Sequence, residues 1–376
     1  MDTDNRKIKL IDHHLVWQAD DCLQIRSEGK SIVLRGNVAR TAVLKVLALL
    51  DGTLSRSEVR MRIAALDNPE QCGKVMQALV QRDMIEAIDP VPDELKVYDP
   101  EKLKSLSKHF KLTAGKAWEP LLTMRRSTIL LVGAAELVIP TALNLAACAA
   151  GRIVVLSDPI APRDIGRSRH VSAADIGRHP ADLINAQLGG KLPVTATAVS
   201  GNPATVLEWR QLLKDCTLVI TACSRPVLFN DQYDALNKAA LEEGVCWLPL
   251  AVLDNREVQV GPSLIPHETA CFKCYEYRFR SNFRQIESYQ AFADSINALR
   301  DIEDHGVLAP FAELAANYAA IEAIRLLTPD LTAISAGKVL SINLEDLATQ
   351  KHPVLRVPRC PHCNQHAERC PERVWA

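Results

Sequence analysis

Apolar and polar positions alternate in two different rhythms, one before residue 90 and another after residue 126. The stretch "HLVWQADDCLQIRSEGKSIVLRGN" alternates in short runs, with Glu28-Gly29 as a turn, and predicts two or three antiparallel strands. Three helical patterns follow. Residues 39–50 carry Val43, Leu44, Val46, Leu47 and Leu50 on one face, and Asp51-Gly52 closes them. Residues 55–66 open on an N-cap serine. Residues 69–84 begin after Asn68 with Pro69 in the first turn, and carry Val75, Leu79 and Val80. Strands followed by three short helices predict a winged-helix module over residues 1–90. The plainer reading of such a module is a packing domain.

Residues 91–125 contain "VPDELKVYDPEKLKSLSK", rich in proline and charge, and read as a linker with a short helix. Beyond it the pattern becomes strand–helix repeating. Apolar runs at 129–132, 152–157, 193–198, 217–221 and 245–250 read as buried strands with helices or a long loop between them. That order predicts an α/β fold, a doubly wound Rossmann-like sheet over residues 126–376. Ligands of such sheets bind beyond the carboxyl ends of the strands, so Gly133, Asp158 and residues 221–224 are expected in one crevice. The dense apolar pattern of "PFAELAANYAAIEAIRLL", residues 310–327, predicts a packed or dimer-facing helix.

Composition narrows the function. Lys+Arg 44 against Asp+Glu 45 leaves no global charge with which to seek nucleic acid or an acidic membrane. The third helix, "EQCGKVMQALVQRD", brings only Lys74 and Arg82 as basic residues, which argues against a DNA-reading winged helix. The amino end, "MDTDNRKIKLIDHH", lacks the apolar core of a signal peptide. The uncharged stretch 137–151, fenced by Glu136 and Arg152, falls short of the ~20 residues that a membrane-spanning helix needs. Cytoplasmic residence is expected.

Eleven cysteines are an odd count, and four of them form two tight pairs. "CFKC" spaces Cys271 and Cys274 as metal ligands, and "CPHC" does the same for Cys360 and Cys363. Two such pairs make a tetrahedral thiolate site for structural zinc, with no position left for water. A redox pair or reduced bystanders is the alternative, and His362, His366 or Cys370 could substitute as ligands. Cys223, with no histidine or other base near it in sequence, reads as a small buried residue.

The turn after the first central strand, "TILLVGAAELVIPTALNLAA", starts like a nucleotide-binding loop and then loses its glycines. A G-x-G-x-x-G fingerprint lets backbone approach phosphate and lets the helix pack on the strand. Here Gly133 keeps the first position, Ala135 and Val138 fill the others, and Glu136 lies between them.

"SDPIAPRDIGRSRHVSAADIGRHPAD" resembles the crossover loop of the ThiF/MoeB superfamily, the adenylating enzymes related to ubiquitin activators. Asp158, Arg167 and "DIG" at residues 175–177 fall at that family's intervals, and the paired CxxC motifs agree. "VQVGPSLIPHETACFKCYEYR" further resembles the E1-like partner proteins of YcaO cyclodehydratases, the ocin-ThiF-like or F proteins. Those carry an amino-terminal winged-helix element similar to the peptide chaperone PqqD. Several family residues are replaced. The ribose-binding acid is Leu156, the asparagine and glutamine of the arginine motif are Asp164 and Ser168, and Arg178 and Pro180 offer no lysine. The Asp-Asn pair that carries the family's magnesium-binding aspartate aligns with Ser224 and Arg225. Gly133, Asp158 and Arg167 remain as a vestigial nucleotide site, too little machinery to stabilise adenylation. Arg167 is accordingly expected in a salt bridge with Asp175, Asp164 or Asp158.

The resemblance implies a scaffold that binds zinc, does not bind ATP, and holds the leader of a ribosomal precursor peptide beside its own sheet. A YcaO partner would use ATP to form azolines from the precursor. The expected peptide edge is residues 31–36, with Ile32, Val33, Leu34 and Arg35, faced by Val75, Leu79 and Arg82. Core packing is the alternative for Val75 and Leu79. Family members often dimerise. Two other functions compete: an active enzyme adenylating a peptide carboxylate or amide, and a winged-helix DNA-binding regulator.

Overall fold

The computed structural model describes residues 5–19, 22–27, 30–36, 42–224, 228–229, 231–253, 256–298 and 306–364. Two compact units divide the chain, Met1–Val91 and Pro92–Ala376.

The smaller unit runs β1 (Lys7–Leu10), β2 (His14–Ala19), β3 (Cys22–Ser27), β4 (Lys30–Arg35), α1 (Leu44–Ala48), β5 (Asp51–Ser55), α2 (Arg56–Ala64), α3 (Pro69–Gln81) and β6 (Ile85–Ala87). Among the described residues, β2-β3-β4 form one antiparallel sheet and β5-β1-β6 another. Period-2 alternation explains the first sheet: Leu23 and Ile25 of β3 and Ile32 of β4 point into the core, while Gln24 and Val33 point out. Ser55 caps α2 in a reciprocal box with Glu58, whose carboxylate accepts the Ser55 amide at 2.7 Å. Three strands, β1, β5 and β6, lie where the sequence pattern predicts none. Leu44 and Val80, expected on buried helix faces, are exposed. The expected Glu28-Gly29 turn and the expected start of the first helix at residue 39 lie outside the described residues.

The larger unit opens with α4 (Pro100–Ala114) and α5 (Glu119–Arg126), where residues 91–125 had read as a linker with one short helix. Asp99 caps α4 by accepting the Glu101 and Lys102 amides, and Leu103, Phe110, Leu121 and Met124 are buried, so apolar faces fold this segment onto its unit. Then come β7 (Thr128–Gly133), α6 (Ala135–Ala147), β8 (Arg152–Leu156), α7 (Pro180–Leu188), β9 (Ala196–Val199), α8 (Val206–Leu213), β10 (Leu218–Cys223), α9 (Asp231–Glu243) and β11 (Cys246–Leu253). The unit closes with β12 (Glu257–Val260), α10 (Phe272–Arg280), α11 (Ile286–Ala298), α12 (Ala309–Leu327), β13 (Lys338–Asn343) and β14 (Thr349–Pro353).

Among the described residues these strands make one sheet of order β14-β13-β12-β11-β10-β7-β8-β9. Its β11-to-β9 part is parallel and its β12–β14 part antiparallel, so the sheet is mixed. Alternate residues of the central strands feed opposite layers. Ile129, Leu131, Ile153, Val155 and Ile220 pack with α6, α7 and α12, and Leu130, Val154, Val219 and Trp247 pack with α8, α9 and α10. Burial on both faces is why these strands read as continuous apolar runs. The helix expected at 310–327 is α12, and its alanines at 312, 315, 319, 320 and 323 are buried in the layer shared with α6. Among the described residues, no helix is long and apolar enough to cross a membrane.

Strand β7 ends on a close approach that admits only glycine. Gly133 has φ +121, and a Cβ there would lie 2.1 Å from the Ala222 carbonyl oxygen of β10. Gly166 has open space around its Cα and no such dihedral. Gly133→Ala is expected to lower the stability of the larger unit by on the order of 3 kcal/mol, and Gly166→Ala to stay within about 0.5 kcal/mol. Urea unfolding followed through the fluorescence of buried Trp209 and Trp247 measures both.

Candidate metal centre and the crevice at the sheet ends

Helix α10 starts on Cys271 as its N-cap residue, which puts Cys274 one turn away on the same face. Residues 360–363 bring the second pair alongside. The four sulfurs of Cys271, Cys274, Cys360 and Cys363 all lie within 4.8 Å of one another. Sulfur–sulfur distances are 3.8 Å for Cys271–Cys274, 3.7 Å for Cys271–Cys360 and 3.5 Å for Cys274–Cys363. Zinc–sulfur bonds of about 2.3 Å make a tetrahedron whose edges are roughly 3.8 Å. The cluster therefore has the size and the soft donors that a structural zinc ion takes. His362, an expected alternative ligand, turns away: its Nδ1 pairs with the Asn237 side chain at 2.8 Å. His366 and Cys370 lie outside the described residues.

Packing against the sheet positions the cluster. Phe272, next to Cys271, stacks on Trp247 at 4.4 Å, and the Trp247 indole donates to Thr221 Oγ1 at 2.9 Å. Asn237 accepts the Phe272 amide at 2.9 Å while its amide group meets His362, so one side chain ties both cysteine segments to α9. Lys273 bridges Asp234 and Glu276, each at 2.8 Å. Crowded thiols cannot all ionise without a cation. The hydrogen bond from Cys271 and the Val357 amide hold the Cys274 thiol well below the usual range, at about 5, while burial pushes Cys363 up to about 11. Beside the cluster, α9, α10 and α11 line a polar cavity of about 530 Å³. Of its charged groups, Asp234, Lys273, Glu276 and Arg280 are paired with one another, and Asp294 accepts from the Gln290 amide at 3.1 Å.

At the carboxyl ends of the strands, the structure brings Gly133, Ser157 and residues 222–224 together. Ser157 Oγ donates to the Gly133 carbonyl at 2.7 Å, and the Ala134 amide donates to the Ala222 carbonyl at 3.0 Å. Asp158 is exposed beside them, and Cys223 is buried in the second apolar layer. Two of the three aspartates expected to pair with Arg167 have other partners: Asp164 accepts the Ala161 amide, and Asp175 is taken by Ser172 and Arg178. Arg167 forms an ion pair with Glu136, at 3.5 Å. Glu136 sits in the first turn of α6 with 1 % of its surface exposed, and its carboxylate accepts a hydrogen bond from Ser224 Oγ at 2.6 Å. The sequence marks Glu136 only as the residue between the two lost glycine positions, because its partners Arg167 and Ser224 lie 31 and 88 residues further along the chain. Arg225, aligned with the missing magnesium site, lies outside the described residues.

In the smaller unit β4 is an end strand, paired only with β3 among the described residues. Val33 is 44 % exposed and Arg35 exposed, Leu34 is half-buried, and Ile32 is a core residue. Val75 and Leu79, expected to face the peptide, are 3 % and 0 % exposed and belong to the apolar core, so packing has claimed them. Arg82 is exposed at the end of α3. Lys30 Nζ reaches the Asp83 carbonyl at 3.2 Å, which sets that end of α3 beside the start of β4.

A comparison with protein families matches residues 111–364 to the ThiF family. Among solved structures, PaaA is similar with a TM-score of 0.64 at 16% identity, over 92% of this chain and 99% of its own. E. coli MccB, solved with AMPCPP and MccA, gives 0.63 at 15% identity, over 95% and 99%. The microcin C7 biosynthetic enzyme MccB in complex with N-formylated MccA gives 0.62 at 14% identity, over 95% and 99%. Identities this low express likeness of fold. No curated protein matches in sequence.

The cluster leads to a stoichiometric expectation. Purified protein should carry about one zinc per chain by elemental analysis, and Cys360→Ala should lose most of it together with several degrees of thermal midpoint. Protons compete with metal for the thiolates, so metal release should rise as the pH falls from 7 towards 5. Zinc retained in full by Cys360→Ala would show that the four sulfurs are not the ligands.

Proposed function

The chain belongs to the ThiF family, and from that premise we propose that it is a non-catalytic member that binds a precursor peptide and presents it to a separate enzyme. The observation that carries this reading is β4, whose outer edge carries no backbone partner among the described residues. An extended peptide adds to such an edge through main-chain hydrogen bonds, and neighbouring side chains supply specificity. Val33, Arg35 and Arg82 are exposed for that purpose; Ile32, Val75 and Leu79 hold the module together from beneath. Residues 1–91 act in this reading as a winged-helix recognition module of the PqqD-like kind.

The enzyme served is a YcaO cyclodehydratase, as the resemblance of the segment around Cys271 and Cys274 implies. It would activate backbone amides of the bound precursor with ATP, and cysteine, serine or threonine side chains would close azoline rings. The structure of MccB with MccA supports a peptide as the partner of this fold. Glu136 supports a silent nucleotide crevice, because a buried carboxylate at the amino end of α6 repels phosphate where the helix would otherwise attract it. The zinc cluster is structural in this scheme, and a homodimer is the expected assembly.

One observation favours a second reading, an adenylating enzyme acting on a peptide carboxylate: Gly133 keeps the left-handed turn at the end of β7. Calorimetric titration of Mg-ATP into the zinc-loaded protein separates the two. No binding up to millimolar nucleotide is expected, and micromolar, magnesium-dependent binding would sink the scaffold reading. For the peptide edge, Val33→Asp should weaken capture of the leader of a precursor encoded beside this gene by about tenfold or more, with little change in thermal stability. Unchanged affinity would move the peptide site elsewhere.

A further inference from the structure

We infer that the solvent face of β2-β3-β4, continuous with the β4 edge, selects a peptide in which an apolar residue stands between two acidic ones, acid–x–apolar–x–acid. The inference rests on the reading of β4 as a peptide edge, and names the chemistry that edge would choose. The pairing register builds the face in rows. Leu23, Ile25 and Ile32 are buried, so the residues that alternate with them point to solvent. Val16, Gln24 and Val33 are paired directly across the three strands and form the central row. Val16 is 42% exposed and Val33 44%, an apolar pair where a solvated sheet face ordinarily carries polar side chains. The row towards the start of β4 holds His14, Arg26 and Ser31, all exposed. On the other side of Val33, two residues along, Arg35 is exposed and points the same way.

Charge is segregated on this face. The whole chain balances Lys+Arg 44 against Asp+Glu 45, yet none of these outward positions holds an acid. Among the described residues, neither Arg26 nor Arg35 is drawn into a hydrogen bond or ion pair. Asp83, the acid beside the start of β4, is paired with Lys30 at 3.9 Å. A strand added to β4 lays its own side chains in the same rows. The residue opposite Val33 meets an apolar neighbour, with Cβ atoms about 5 Å apart. Two residues to one side, the added side chain lies opposite the Arg35 guanidinium. Two residues to the other, it lies opposite Ser31, whose short hydroxyl leaves Arg26 behind it within reach. Carboxylates at both places gain charge-assisted hydrogen bonds, and lysines there meet repulsion. Because the cations flank Val33 on both sides, the pattern is the same for a peptide running parallel or antiparallel to β4.

The test is selection from a phage-displayed random peptide library, on the full natural chain and on the charge-reversed variant Arg26→Glu/Arg35→Glu. Both arginines are exposed, so the variant should keep its thermal midpoint. The natural chain should enrich acid–x–apolar–x–acid, and the variant should enrich lysine or arginine at the two acidic places. A synthetic peptide of the enriched sequence should bind the variant about tenfold or more weakly. Its hold on the natural chain should weaken as salt rises from about 50 mM to about 500 mM. Arg35→Gln, which removes one charge without reversing it, should lose the preference at one acidic place alone. Enriched peptides without the two acids, or a preference unchanged by charge reversal, would overturn the inference and leave edge pairing standing. A natural chain that enriches no peptide would sink the proposed function along with it, so the two failures are distinguishable.

Discussion

Two opposite charges share one dry crevice, and that constraint organises the functional half of the molecule. Glu136 and Arg167 come from the first turn of α6 and from the crossover loop, and neither could be buried without a partner. Their pairing fixes the loop against the helix, and Ser224 extends the link to the end of β10. Around this pair stands a mixed sheet with an apolar layer on each face.

On the other side of the sheet, the aromatic and sulfur contacts form a second centre. Trp247 stacks on Phe272, Thr221 accepts the indole proton, and Asn237 joins α9 to both cysteine segments. These contacts hold the two cysteine segments together, with the four sulfurs at spacings that suit a tetrahedral ion. In the smaller unit β4 leaves one edge without a backbone partner among the described residues.

Legibility in the sequence followed burial. Strands β7, β8, β10 and β11 are covered on both faces, so Ile129–Leu131 or Val219–Thr221 stand out as apolar runs. Strands β12, β13 and β14 did not stand out. "EVQV" and "KVLSIN" are short and half polar, and "TQKHP" is exposed throughout, so their pairing is decided by neighbours far along the chain. The thiol cluster was legible because CxxC spacing is local information. The Glu136–Arg167 pair was not, because nothing within one helical turn of either residue names the other. Val75 and Leu79 failed as contact residues for a related reason: an apolar stripe signals burial and is silent about what covers it.

The thiol cluster joins cysteines 89 residues apart, Cys271 to Cys360 and Cys274 to Cys363. During synthesis the first pair leaves the ribosome with α10, while α11, α12 and β13 have still to be made. The four sulfurs cannot meet until that intervening chain has been laid down and folded back, because the long loop must close first. The cluster is thus completed late in the birth of the molecule, as a lock that shuts only once the sheet beneath it is in place.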